Sequence, residues 1–200
     1  MHSTEEIRHL LSNWGELRTQ DASLWKGDEK TLPQEIADFY AQIGPWGEVI
    51  YESVGPVGIT LSVGGNPVCI PPLGRLFGLQ AGYAWQSDPD KPFDNWPGHW
   101  LVIAEQGGDP FIYDRLSGQV LFAFHGAGHW APKVFAPDLY TAIGALVTVA
   151  NAHQALDEQE LNLDDGLSTE GKARILAELS RFTGSAEQAA AMLAAWEYYE

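Results

Sequence analysis

Between residues 99 and 126 the chain reads HWLVIAEQGGDPFIYDRLSGQVLFAFHG, three apolar runs separated by two short clusters of turn-forming residues. Trp100 to Ala104 forms the first run, and residues 105–110 hold the Gly-Gly-Asp-Pro turn. A second run reaches Asp114, RLSG supplies another turn, and QVLFAFH closes the set as a nearly all-apolar strand expected to be buried on both faces. This pattern predicts a three-stranded antiparallel meander. The Gly-Gly pair also resembles a phosphate-cradling loop, but such loops run from a strand into a helix whose first amides face the anion. Here the loop leads into another strand, and Pro110 removes an amide. The stretch reads as sheet.

On both sides of this segment the periodicity is helical. Ser3 and Glu6 have capping-box spacing, and Ile7, Leu10, Leu11, Trp14 and Leu17 recur on one face. In LPQEIADFYAQIG, Pro33 sits in the first turn, Ile36, Phe39, Tyr40 and Ile43 form the stripe, and Gly44 closes it. From about 45 to 131, glycines and prolines punctuate short β-branched and aromatic segments. GEVIYESV, GITLSV and PVCIPPL are candidate strands, the last an edge or a loop because of its prolines. RLFGLQAGYAW fits either a short helix or irregular structure. QSDPDKPFDNWPG, with three Pro and three Asp in thirteen residues, is a surface loop.

After GAGHWAPK the helical period resumes in FAPDLYTAIGALVTVANAHQALDEQ, with Pro137 and Asp138 in the first turn. The acidic LDEQELNLDDG is a break. Two more helices follow, one through Ile175, Leu176, Leu179 and Phe182, the other opening on a capping box at Ser185 and Gln188 and running to Trp196. Helices, then strands, then helices indicate an α+β fold with helices at both chain ends. Residues 1–155 are expected to form one domain, and residues 156–200 a C-terminal helical extension.

The net charge is −16, from 27 acidic and 11 basic residues. Such a surface repels phosphate backbones and argues against nucleic-acid binding. It suits either simple solubility or an acidic face made for a basic partner. The single cysteine, Cys69, rules out an intramolecular disulfide and reads as a small buried hydrophobe. No apolar run resembles a signal peptide or a membrane span, so the cytoplasm is the default compartment.

Catalytic constellations are sparse. His125 and His129 stand four apart, but the intervening Gly126 and Gly128 favour a loop over a metal-binding helix. Asp109, Asp114 and His125 form an imaginable polar cluster without a GxSxG serine. The carboxylate pairs Asp88 and Asp90, Asp157 and Glu158, and Asp164 and Asp165 all lie in polar loops. Trp14 and Trp100 fit core patterns. Trp46, Trp96 and Trp130 sit in turn-like surroundings, where exposed aromatics can anchor a partner.

Two segments together resemble the SUKH superfamily, which unites bacterial toxin-immunity proteins with a fungal regulator of cell-wall synthesis. LPQEIADFYAQIGPWGEV is similar to its Leu-Pro-led helix and Gly-rich turn. The stretch 99–126 is similar to its Trp-led strand, Gly-Gly-Asp turn, strand ending in Asp, and strand ending in His. A helix from Phe135 to Leu146 takes the place of the family's closing helix, so the likeness covers about residues 31 to 150. Ala104 in place of Gly, Pro110 directly after Asp109, and the lack of an Asn before the first Gly turn depart from the pattern.

The resemblance implies an α+β domain with a curved, mostly antiparallel sheet flanked by N-terminal and C-terminal helices, and a non-catalytic protein-binding role without cofactor or metal. Its expected role is that of an immunity protein in a toxin–antitoxin or polymorphic toxin system, covering a basic toxin domain such as a nuclease. A monomer or weak homodimer is expected. Asp88, Asp90, Asp94 and Trp96 are the candidate partner contacts. Two alternatives stand beside this reading. One is a regulatory scaffold of the same fold in cell-envelope or signalling control. The other is a small-ligand binder or hydrolase using Asp109, His125 and His129.

Overall fold

The computed structural model describes residues 3–28, 31–126, 128–162 and 166–198. A six-stranded antiparallel sheet runs in strict chain order through β1 (Ile59–Leu61), β2 (Val68–Ile70), β3 (Trp100–Gln106), β4 (Asp109–Asp114), β5 (Val120–Phe122) and β6 (Lys133–Ala136). It is open, with β1 and β6 at its edges. The fold is α+β, as the segregation of periodicities predicts. The Gly-Gly pair is a two-residue turn from β3 into β4, with φ of 62° at Gly107 and 101° at Gly108, conformations glycine adopts without penalty.

Two register shifts bend the sheet. Val102 pairs with Ile112 and Ala104 with Phe111, leaving Ile103 as an extra residue in β3. Leu121 pairs with Val134 while Val120 pairs with Ala136, leaving Phe135 extra in β6. Each bulge sends two successive side chains, Ile103 and Ala104 or Phe135 and Ala136, into the same core cluster.

That cluster is the larger of two. It lies under α1 (Thr4–Ser12), α2 (Gln34–Gln42), α4 (Leu139–Gln154), α5 (Thr169–Thr183) and α6 (Ala186–Trp196). Ser3 Oγ accepts from the Glu6 amide and Ser185 Oγ from the Gln188 amide, so both capping boxes form at their N-terminal side. The stripes from Ile7 and Leu11, from Ile36 to Ile43, and from Ile175 and Leu179 are buried. The C-terminal pair α5–α6 forms a hairpin in which α6 packs on β6 and α5 on α4. Trp196 contacts the Phe111 and Phe135 rings and donates Nε1–H to Gln106 Oε1 at 2.6 Å.

The second cluster covers the other face and contains almost no regular structure. Tyr83, Ala84 and Trp96 pack on Val102, Ile112, Leu121 and Ala123, with Trp85, Trp100 and Trp130 around them. The chain reaches this face after α3 (Leu73–Leu76), whose Leu73 and Leu76 belong to the first core, and a 3-10 turn at Gly78–Gln80. Gln80, at the end of that turn, is buried. Its Nε2 donates to the Val102 carbonyl at 2.8 Å, and its Oε1 accepts from the Val102 amide at 2.9 Å. β2 pairs with β3 only at Val68–Gln106 and Cys69–Glu105, so one glutamine side chain takes over where the neighbouring strand stops.

Several expectations are corrected. PVCIPPL is an interior strand, because Pro67, Pro71 and Pro72 bracket its three residues instead of interrupting them. GEVIYESV is not a strand. It forms a protruding loop held by isolated bridges from Gly47 to Gly58 and from Val49 to Pro56, with Tyr51 68% exposed at its tip. A Cβ on Gly47 would lie 1.8 Å from the Gly58 carbonyl oxygen, so this crossing requires glycine. The segment FAPD does not begin a helix: Phe135 and Ala136 complete β6, and α4 starts after Asp138, whose side chain accepts from the Thr141 amide. Cys69 is half-buried, because the middle residue of β2 points away from the main core. In the acidic break, Leu161–Asn162 (β7) and Gly166–Leu167 (β8) pair as a small ladder, and Asp164 and Asp165 lie outside the described residues. No helix among the described residues is long and apolar enough to cross a membrane.

Candidate functional site

The irregular cover of the second face is open at one end. There the loop 86–98 and residues 124–126 and 128–130 form the walls of a groove of about 420 Å³. Phe93 and Asn95 come from the first wall, Phe124, His125, His129 and Trp130 from the second, and Tyr83 also lines it. Phe93 and Phe124 are 37% and 40% exposed, large apolar side chains left facing water on opposite walls. Behind the groove the rings interlock: Trp130 meets Tyr83 at 5.9 Å and Trp96 at 5.4 Å, the latter edge to face.

His125 is held by a single carboxylate. Asp109 Oδ1 accepts from the His125 backbone amide at 2.8 Å and lies 2.6 Å from Nδ1. The carboxylate is 18% exposed and the imidazole 60%. Since a carboxylate oxygen accepts, Nδ1 carries the proton and Nε2 is the acceptor of the neutral ring. Local sequence explains this reach. Asp109 opens β4 directly after the Gly107–Gly108 turn, and His125 follows β5 on the neighbouring strand. Tyr83 has a comparable partner, donating its hydroxyl to Glu105 Oε2 at 2.8 Å. Burial, and then that hydrogen bond, push the Tyr83 phenol well above its usual range, so it stays protonated.

The sequence-derived candidates divide. Asp109, His125 and His129 do converge: both histidines line the groove and Asp109 orients the first. Asp114 stands at the other end of β4, where it accepts from the Leu116 amide and the Ser117 hydroxyl and organises the turn into β5. Asp90 and Asp94 are exposed on the loop that builds one wall. Asp88 is half-buried, accepts from the Asp90 amide and pairs with Lys91 at 3.1 Å. Trp96, proposed as an anchor, is only 5% exposed and belongs to the second core, so it supports the surface without forming it. Phe93 and Phe124 were missed. Neither carries a sequence signal beyond an aromatic residue in a loop or strand end.

Among the described residues, no group of three or more His, Cys, Asp or Glu is placed to hold a metal ion. The described lining also contains no lysine or arginine. Chemically, the groove offers aromatic faces, one oriented imidazole acceptor and an acidic rim. No family model, curated protein or solved structure matches the chain.

Proposed function

We propose that this chain is a non-catalytic binding protein of the SUKH kind, an immunity protein that neutralises a basic toxin domain by covering its working surface. The observation that carries the reading is the acid loop itself. Asp90 and Asp94 face outward beside Phe93, across a groove from Phe124, on a chain of net charge −16. Exposed aromatics inside a charged rim are the usual composition of a protein-binding hot spot. An acidic surface also accelerates association with a basic domain such as a nuclease, which carries cationic surface for its own substrate. Co-expression with any toxin domain that the neighbouring genes are found to encode tests the proposal. Protection and co-purification are expected, and both should weaken when Asp90 and Asp94 are replaced by lysine. An unprotected host and no complex would overturn it.

The alternative of a small-ligand binder or hydrolase draws support from the convergence of Asp109, His125 and His129. A hydrolase working through a covalent intermediate needs a nucleophile beside its base. The described lining holds no serine, threonine or cysteine, which favours binding over that chemistry. The regulatory scaffold shares the same surface, and only the identity of the captured partner separates it from the immunity role.

A further inference from the structure

We propose that the groove is a receptor for one arginine side chain of the partner, its guanidinium stacked on the aromatic walls and donating an N–H to His125 Nε2. The inference rests on the protein-binding reading above and names the chemistry of its central contact.

Charge selects the ligand class. Among the described residues no cation lines the groove, so a phosphate or carboxylate would find no counter-charge there. The lysines nearest in sequence to the two walls are already engaged, Lys91 with Asp88 and Lys133 with Glu197 at 2.6 Å. Carboxylates instead stand behind the lining. Asp109 holds His125 and Glu105 holds Tyr83, so each acid raises electron density on a group that faces the groove. Asp94 sits between the two wall residues Phe93 and Asn95 and adds its exposed charge at the rim.

Shape and donor count then favour guanidinium over ammonium. Phe93, Phe124 and Trp130 line the groove, and the quadrupole of such rings attracts cations. A planar guanidinium stacks on such faces and is weakly hydrated, whereas an ammonium is compact and holds its water. Stacking also leaves the in-plane N–H groups free to reach an acceptor, and in the neutral imidazole His125 Nε2 is that acceptor, its ring held by Asp109 at Nδ1. The volume of about 420 Å³ lies at the small end of the range for ligand pockets, and its open side admits a side chain that remains attached to a protein.

The test is an NMR titration of the full chain with N-acetyl-L-arginine methylamide, reading the His125 and Trp130 side-chain resonances. The corresponding citrulline and lysine amides serve as neutral and ammonium controls. Saturable shifts with arginine, weaker shifts with lysine and none with citrulline are expected. His125→Ala should weaken arginine binding about tenfold, the loss of one hydrogen bond to a charged group, while His125→Gln, which retains an acceptor, recovers part of it. Both changes fall on an exposed side chain, so the fold should tolerate them. No saturable shift with arginine, or equal binding of citrulline, overturns the inference. If arginine fails while the chain still captures its toxin, this contact is wrong and the immunity reading stands. If arginine binds but no toxin is captured, the groove chemistry stands and the immunity role fails.

Discussion

The two faces of the sheet are sealed by different means. One is covered by five helices whose apolar stripes meet Phe111, Phe122 and Phe135 in a continuous core. The other is covered by an irregular segment carrying Tyr83, Trp85 and Trp96. Helices present a regular stripe that can close a face completely. A loop seals only where its large rings land, and between rings it leaves gaps. The groove is such a gap, and under the proposed binding role the loop-covered face carries recognition while the helical face carries stability.

The largest effect that would sharpen this contrast belongs to the helical face. Phe111 is fully buried against Phe122, Phe135 and Trp196, and Phe111→Ala should cost about 3–5 kcal/mol in a urea melt. Next comes the junction between the faces. Gln80→Ala strips the Val102 amide and carbonyl of their side-chain partner and should cost about 2–4 kcal/mol. A loss under about 0.5 kcal/mol would mean that water or β2 replaces the glutamine. On the loop-covered face Phe93→Ala and Phe124→Ala should each shift stability by less than about 1 kcal/mol. Their partner affinity should nevertheless fall tenfold or more, measured by calorimetry. If these variants destabilise as Phe111→Ala does, the division of labour between the faces is wrong.

The smallest effect is a pH dependence at His153 in the last turn of α4. Burial lowers its pKa below the ordinary 6.5, so the unfolded chain takes up a proton first as the pH falls. The stability it contributes is therefore present above about pH 6.5 and is lost as the pH drops through the folded value. The difference in urea midpoint between wild type and His153→Gln should change from about pH 7.5 to about pH 5.5, with the wild type losing more. An unchanged difference would remove His153 from the account.

Much of the helical face was legible because its signals are local. Ser3 and Ser185 sit one turn from the amides they cap, and the stripes on α1, α2 and α5 repeat at helical spacing. The β3–β4–β5 meander was equally plain, since Gly107 and Gly108 lie between two apolar runs. The loop-covered face was not. Trp96 looks like a surface anchor beside Pro97 and Gly98, yet it is buried because its ring packs with Tyr83, Trp100 and Trp130 on the Val102 and Ile112 face, while Asp90 and Asp94 before it stay exposed. GEVIYESV has strand composition but no sheet edge to join, as Gly47 crosses Gly58 before its β-branched residues begin. Asp109 and His125 were singled out as candidates, but their contact spans a strand pair and leaves no mark in local sequence.

By itself, then, the sequence determined the elements: which segments are helical, where the meander turns, and that the chain carries an acidic loop. These follow from interactions between residues within a turn or two of one another, namely capping, periodicity and glycine at positive φ. Tertiary structure alone decided which face is sealed by what, that Gln80 stands in for a missing strand, and that Phe93 and Phe124 line one groove. Those outcomes depend on packing between residues distant in the chain, where burial of apolar surface has no direction of its own and the fit is chosen by shape.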